Sequence, residues 1–454
     1  MLTVTITNTI MSKTVNGGGT PPSNTVAPVI SGSSAIGSTL TSTTGTWAGT
    51  PVITYAYQWK RAGVNIVGEI NSTYVLVLAD YNKAITCEVT ATNAFGSASA
   101  LSNSITGTAV APVNTVAPVI SGTNVVGSIL SSTTGTWTGA PTPTYTYQWK
   151  RGASNIGGAT SSTYTLVQAD ATFAVTCVVT ATNVAGSANA TSNSLTIFDA
   201  DAQAVITAIE GTGATLTATE KSACNQLIVD LKGYGIWTKM KALYGFLGGT
   251  AAAHKWNWKD PRDLNAAFRL VFSGGWTHSS TGAKPGGVNG YADTFLTSSV
   301  TLTQNSTHIS YYSRTQSSGT EVEIGTSTGP NATDNGSLLE IRTGTTTYYR
   351  INSQGTYITY TDADSRAFYI GNRTASNVVN GWRNTTKVAT GTTASSGLST
   401  RTFWLGGFNS GGSAFYSTKE CAFSSIGDGL TDVEAANLYT AVQAYNTTLG
   451  RNNP

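Results

Sequence analysis

Apolar and polar side chains alternate along much of the chain, in short runs. In TYAYQWKR, Tyr55, Tyr57 and Trp59 share one face of an extended segment, and Ile85, Cys87 and Val89 do the same in AITCEVT. TVAPVISG, GSTLTSTTGTW, STYVLVL and SASALSNSIT add further runs, separated by Gly, Asn and Ser. Together they predict six or seven short strands in under 90 residues, the density of a β-sandwich. The pattern then recurs. Pro28, Trp47, Trp59, Tyr74, Cys87 and Asn93 match Pro118, Trp137, Trp149, Tyr164, Cys177 and Asn183, each 90 positions on, so neither copy has gained or lost a residue. This divides the chain into an arm at 1–23, sandwiches at 24–110 and 114–200, and a larger domain at 201–454. Between the copies, AVAPVN reads as a stiff joint, because Pro112 and Pro118 limit its conformations.

After Phe198 the period changes. DADAQAVITAIEG predicts a helix, Thr217 and Glu220 are spaced as a capping box, and Cys224, Ile228 and Leu231 fall on one apolar face. IWTKMKALYGFLGG is expected to continue helically up to Gly248 and Gly249, which places helices near 202–246. From HKWNWKDPRD onward the pattern is strand-like again. SVTLTQNSTHISYYSR, EVEIGTS, SLLEIRTG, RAFYIGNRT and AFYSTKECAFSSIG are among roughly eleven to thirteen strands, enough for two large facing sheets. A last helix near 431–447 starts with the capping box Thr431 and Glu434. Its stripe of Leu438, Val442, Tyr445 and Leu449 is expected to dock beside the first helices.

Composition narrows the function classes. Only 10% of residues are charged, against about a quarter in ordinary soluble domains, while 20 Tyr, 12 Phe and 10 Trp supply core material. The net charge of +3 is scattered with no basic stripe, so nucleic acid is not an expected partner. No run of 18 apolar residues predicts a membrane span. The amino end, MLTVTITNTIMSK, alternates like a strand and lacks the layout of a signal peptide, so standard secretion is not expected. Four cysteines, at 87, 177, 224 and 421, form no close pair, which suits folding in a reducing compartment; a bridge between Cys224 and Cys421 stays open.

The QWKR strand, followed by TCEVTATNAFGSAS and in the second copy by TCVVTATNVAGSAN, resembles the central Trp and late-strand Cys of an immunoglobulin-like domain. Leu40 and Leu130 stand near where a partner cysteine is usual, and Ile85 and Val175 where a tyrosine is usual. The copies therefore resemble the disulfide-free repeats of bacterial surface proteins and tailed-phage virion proteins. NVVNGWRNTTKVA, residues 377–389, resembles the strand–turn–strand of concanavalin-like or laminin-G-like jelly rolls, and residues 414–439 are similar to their closing strand and short helix. The 201–454 region is similar to a lectin-like domain in virion proteins of phages infecting Bacteroidetes.

The expected fold is thus all-β: two tandem immunoglobulin-like β-sandwiches followed by a concanavalin-like jelly roll with flanking helices. The resemblance implies a structural, non-enzymatic virion protein, placed on the head as a fibre or decoration or on the tail. Its amino-terminal arm would add a strand to another virion protein. The two sandwiches would act as a spacer of roughly 70–80 Å, and the jelly roll would touch a host-surface glycan. A homo-oligomer is implied, with a trimer as the common fibre arrangement. The competing readings are a glycan-binding adhesin of a bacterial surface and a polysaccharide-degrading enzyme.

Candidate chemistry is sparse. Trp256, Trp258, Trp276, Tyr311, Tyr312, Trp382, Trp404, Phe408 and Tyr416 form a pool of aromatics from which sugar stacking can draw, most of them expected in the core. NGWRN puts Trp382 at an expected tight turn, where its ring would stack on a sugar while Asn380 and Arg383 bind hydroxyls. Glu321 and Glu323 would lie about 6.5 Å apart on one strand face, within the range of about 5–9 Å for paired glycosidase carboxylates. Asp362 and Asp364 are expected in a charged turn, with calcium coordination the less favoured reading. His254, His278 and His308 lack metal-ligand spacing, and neither metal nor cofactor is expected.

Overall fold

The computed structural model describes residues 18–331, 333–412 and 415–452. The strand expected in MLTVTITNTIMSK, and with it the anchoring function, lies outside the described residues.

In the first repeat, Thr54–Arg61 pairs along its full length with Ala84–Asn93, which sets Trp59 opposite Cys87. Ile105–Thr106, Gly96–Leu101 and Val64–Asn65 complete that sheet, and Ile30–Ser31, Thr39–Ser42 and Thr73–Val75 form a facing one. Period-two alternation sends Ile30, Leu40, Trp59, Tyr74, Ile85, Cys87 and Val89 into one core. Leu40 joins Cys87 there, supplying apolar contact where a disulfide would otherwise cross. The Trp59 ring lies 5.4 Å from Tyr74, and its Nε1 donates to the Asn71 carbonyl at 2.8 Å. Asp80, fully buried, accepts from Arg61 Nε at 2.6 Å, Tyr74 OH at 2.7 Å and the Val77 amide at 2.8 Å.

The second repeat reproduces this arrangement. Trp149 is fully buried, 5.6 Å from Tyr164, and donates to the Ser161 carbonyl at 2.9 Å. The Cys177 amide donates to Ser192 Oγ at 2.9 Å, as Cys87 does to Ser102. All four cysteines are buried and free, so Cys224 and Cys421 are not bridged.

The connections at the ends of the two repeats occupy the same register. Thr108 donates its amide to the Ser34 carbonyl at 2.7 Å and accepts from Ile36 at 2.8 Å, anchoring the chain to the first sandwich. Val110–Val116 is already a strand paired with Thr136–Ala140 of the second. Only Ala109 lies between these anchors. Ninety positions on, Phe198 donates to the Asn124 carbonyl and accepts from Val126, both at 2.9 Å.

Among the described residues five helices come next: α1 (Ala200–Glu210), α2 (Ala218–Gly233), α3 (Ala251–His254), α4 (Ser298–Thr301) and α5 (Asp432–Thr448). Both expected capping boxes are present, Thr217 with Glu220 at α2 and Thr431 with Glu434 at α5. The helix expected to continue through IWTKMKALYG ends early. Trp237–Lys239 is one 3₁₀ turn, and Met240–Tyr244 is a strand paired with Cys421–Gly427. The reason is packing: Ala242 and Tyr244 reach one core while Met240 and Leu243 reach another, so the segment is buried on both faces.

The strands make two eight-stranded sheets. The first is centred on Cys421–Gly427, Thr307–Ser313 and Ala367–Ala375 and continues through Val378–Arg383 to Thr386–Gly391. The second includes Tyr291–Thr297, Thr402–Leu405, Ile324–Ser327, Asn335–Thr343 and Thr346–Gln354. Ile309, Tyr311, Tyr369 and Ile426 of the first sheet meet Leu339, Ile341, Tyr349 and Ile351 of the second. The opposite face of the first sheet presents Tyr312, Phe368, Ile370 and Phe423 to Leu227, Leu231, Leu438, Val442 and Tyr445 of α2 and α5. A helical layer therefore covers a sheet that a simple sandwich would leave half-exposed, and every residue of Thr307–Ser313 and Cys421–Gly427 is buried.

Candidate functional site

That helical cover decides the fate of the expected sugar-stacking residues. Trp382 lies inside the strand Val378–Arg383, paired across to Ile370, and is only 5% exposed in the core beneath the helices. The tight turn comes after it, at Asn384, whose φ is 56°. The surface position expected for Trp382 is thus corrected: Lys387 Nζ lies 5.6 Å over its ring and reaches on to Asp432 of α5. Asn380, also 5% exposed, shares this face by strand alternation, whereas Arg383 falls on the other and donates to the Asp364 carbonyl at 2.9 Å. The three side chains do not converge on one opening. Among the described residues, Asn380 Oδ1 and Trp382 Nε1 have no hydrogen-bond partner.

The paired glutamates are internal as well. Glu321 and Glu323 precede the strand Ile324–Ser327 rather than lying in it, and Lys419 Nζ, fully buried, sits between them at 2.9 and 3.0 Å. Glu323 also accepts from the Ile341 amide at 2.6 Å and Ser417 Oγ at 3.2 Å. Glu321 accepts from Thr418 Oγ1 at 2.6 Å and the Thr418 amide at 2.9 Å. Burial pushes Glu323 up to about 7 despite Lys419. Burial also acts upward on Glu321, but Thr418 and Lys419 outweigh it and hold the carboxyl below its ordinary range. Protein donors surround both groups, and the cluster ties residues 417–419 to residues 321–323.

Asp362 is buried beneath Tyr369 OH at 2.6 Å and Thr347 Oγ1 at 3.1 Å, while Asp364 turns to Arg366 at 2.8 Å. Among the described residues, no group of three or more His, Cys, Asp or Glu converges as metal ligands would.

Two histidines that are distant in sequence do meet. His254 Nδ1 and His278 Nδ1 are 3.0 Å apart, so one ring donates and the other accepts. Burial lowers both from the usual imidazole range, and His278 and Arg451 lower His254 further. His308, fully buried between the Asp428 carbonyl at 2.6 Å and Ser425 Oγ at 3.1 Å, falls to about 4, chiefly through burial.

An open recess lies elsewhere among the described residues. Thr250 caps α3 by accepting from the Ala253 amide at 3.2 Å, which turns the short helix against the end of α1. Between them lies a recess of about 530 Å³, walled by Ala208, Gly211 and Thr212 on one side and by Ala252, Lys255 and Trp256 on the other, with Pro261 and Asp263 completing it. Lys255 Nζ is 2.6 Å from Asp263 and 4.7 Å from the Trp256 ring centre. Hydrogen bonds from Lys255 and Arg269 hold Asp263 below the usual carboxylate range. The Trp256 Nε1 is buried and has no partner among the described residues. Trp256 belonged to the expected aromatic pool, but no periodicity connects HKWNW with the end of α1, so the recess was not legible in sequence.

No family model and no curated protein matches the chain. Several solved structures are similar to parts of it. Titin domains in complex with telethonin share 18% identity over 39% of this chain and 97% of theirs, with a TM-score of 0.22. The N-terminal four immunoglobulin domains of a Dscam1 isoform share 13% over 40% of this chain and 46% of theirs, with a TM-score of 0.19. Domain 4 of AbnA, an extracellular GH43 arabinanase from Geobacillus stearothermophilus solved with arabinotriose, shares 13% over 44% and 98%, with a TM-score of 0.31.

Proposed function

We propose that this chain is a non-enzymatic structural protein of a tailed-phage virion, on head or tail, whose two immunoglobulin-like sandwiches carry a lectin-like domain for contact with host-surface glycans. The observation that supports a spacer role is the register of the repeats. They align at a constant offset of 90 with no insertion or deletion, and only Ala109 lies between the hydrogen-bonded anchors of the first and second. Such a connection leaves little slack, which suits a part whose task is placement. No helix among the described residues is long and apolar enough to cross a membrane.

The test is to purify particles that carry the protein and label them with antibody against residues 201–454 for electron microscopy. Label on the particle surface is expected, and loss of the protein from particles is expected when residues 1–20 are deleted. Failure of the chain to travel with particles at all rejects the virion reading and leaves the bacterial-surface adhesin in its place.

A further inference from the structure

Lys419, Glu321 and Glu323 form an internal cluster that the display reading does not use. The side chains of Lys419 and Glu323 are wholly buried, and that of Glu321 is 10% exposed. Two carboxyls around one amine leave a negative charge in excess, so the interior favours a proton on one of them. That one is Glu323, which burial pushes up to about 7, while Glu321 stays a carboxylate. Lys419 Nζ lies 2.9 Å from Glu321 Oε2 and 3.0 Å from Glu323 Oε1, in the contact range of about 3–3.5 Å that precedes bond formation. Glu323 Oε2 accepts from the Ile341 amide at 2.6 Å, a donor placed to stabilise negative charge that develops on that oxygen.

We propose that Lys419 and Glu323 condense within the folded chain, joining their side chains through an amide bond with loss of one water. Glu321 takes a proton from the Lys419 ammonium, which frees the electron pair of the nitrogen. That pair attacks Glu323 Cδ, and negative charge moves onto Oε2 beneath the Ile341 amide. Glu321 then passes its proton to the Oε1 hydroxyl, which leaves as water, and takes the second proton that the nitrogen sheds. Ser417 Oγ, donating to Oε1 at 3.2 Å, steadies the departing oxygen. No further reactant is needed. The link ties the residues before Ile324–Ser327 of the second sheet to those before Cys421–Gly427 of the first. All four cysteines are free, so no disulfide supplies such a tie. The closed loop spans about a hundred residues, a length over which a cross-link strongly constrains the unfolded chain.

The experiment is intact-mass measurement of the purified full chain after denaturation, with Lys419→Arg beside it. The wild type is expected about 18 Da, one water, below the mass of its sequence, and the variant at its full mass. Trypsin should leave the bond after Lys419 uncut and release one branched peptide that joins residue 323 to residue 419. Glu321→Gln, which cannot accept the proton, is expected to leave most chains unlinked. A wild-type chain at full sequence mass, ready cleavage after Lys419, or the same water loss in Lys419→Arg overturns the proposal. Complete linkage in Glu321→Gln overturns the proton transfer assigned to Glu321. The wild-type mass decides the question whether or not either variant folds. It is also independent of where the chain resides, so this test and the particle test fail separately.

Discussion

Where the first sandwich hands the chain to the second stands Ala109; ninety residues on, where the second leads into the helical layer, stands Asp199. The two positions close equivalent sandwiches, yet they are built from different physics. At Ala109 one strand register passes to another, and backbone hydrogen bonds on either side are enough. At Asp199 a helix begins, bringing amides without intrahelical acceptors and the positive end of a helix dipole. Asp199 supplies the acceptor: its fully buried carboxylate takes the Asp201 amide at 2.9 Å, Lys232 Nζ of α2 at 2.7 and 2.8 Å, and Gln168 Nε2 at 2.8 Å. Asn225 of α2 holds the flanking backbone, accepting from the Asp199 amide at 2.8 Å and donating to the Ile197 carbonyl at 3.0 Å. Gln168 is itself a register substitution, since the first repeat has Leu78 there, 52% exposed. One sandwich can thus end in a plain relay or a charged clamp, depending on whether a strand or a helix comes after it.

The comparison is broken most severely by Asp199→Ala. It removes the cap of α1 and a buried partner of Lys232, and should cost about 3 kcal/mol, discounted because Lys232 is partly exposed and keeps Asp201. Denaturant unfolding of the full chain measures it. Asn225→Ala leaves the Asp199 amide without its acceptor, while the Ile197 carbonyl keeps the Thr172 amide at 2.8 Å, and should cost about 2 kcal/mol in the same assay.

The pH dependence sharpens the assignment. Burial alone would raise the Asp199 carboxyl, but hydrogen bonds from Lys232 and Gln168 prevail and hold it below 3.8. A depressed carboxyl contributes stability above its unfolded value and loses it as pH falls through the folded one. The advantage of wild type over Asp199→Asn should therefore be level from neutral pH down to about 4 and narrow below that. A gap that widens on acidification would assign the clamp to another group. Gln168→Leu, which copies the first repeat, should cost only about 1 kcal/mol. Ala109→Asp, at a site with no helix to cap, should change stability by about 0.5 kcal/mol or less.

The repeats were legible in sequence because alternation and an undisturbed 90-residue offset both report burial. The capping boxes at Thr217 and Thr431 were legible because they are local. What escaped was whatever depends on a second layer. Met240–Tyr244 looks helical in isolation, since a strand buried on both faces loses its alternation. Trp382 looked exposed because NGWRN is polar, yet α2 and α5 cover that face of the sheet. Glu321 and Glu323 looked like a free pair because their counter-ion, Lys419, lies nearly a hundred residues away. The meeting of His254 with His278 has no local signal at all.

The most direct measurement is hydrogen exchange, followed by mass spectrometry, on the full chain and its Asp199→Ala variant. Amides across residues 197–233 should lose protection together in the variant, while those across 106–116 keep theirs. Equal protection of 197–233 in both proteins, or a matching loss at 106–116, would contradict the distinction between clamp and relay.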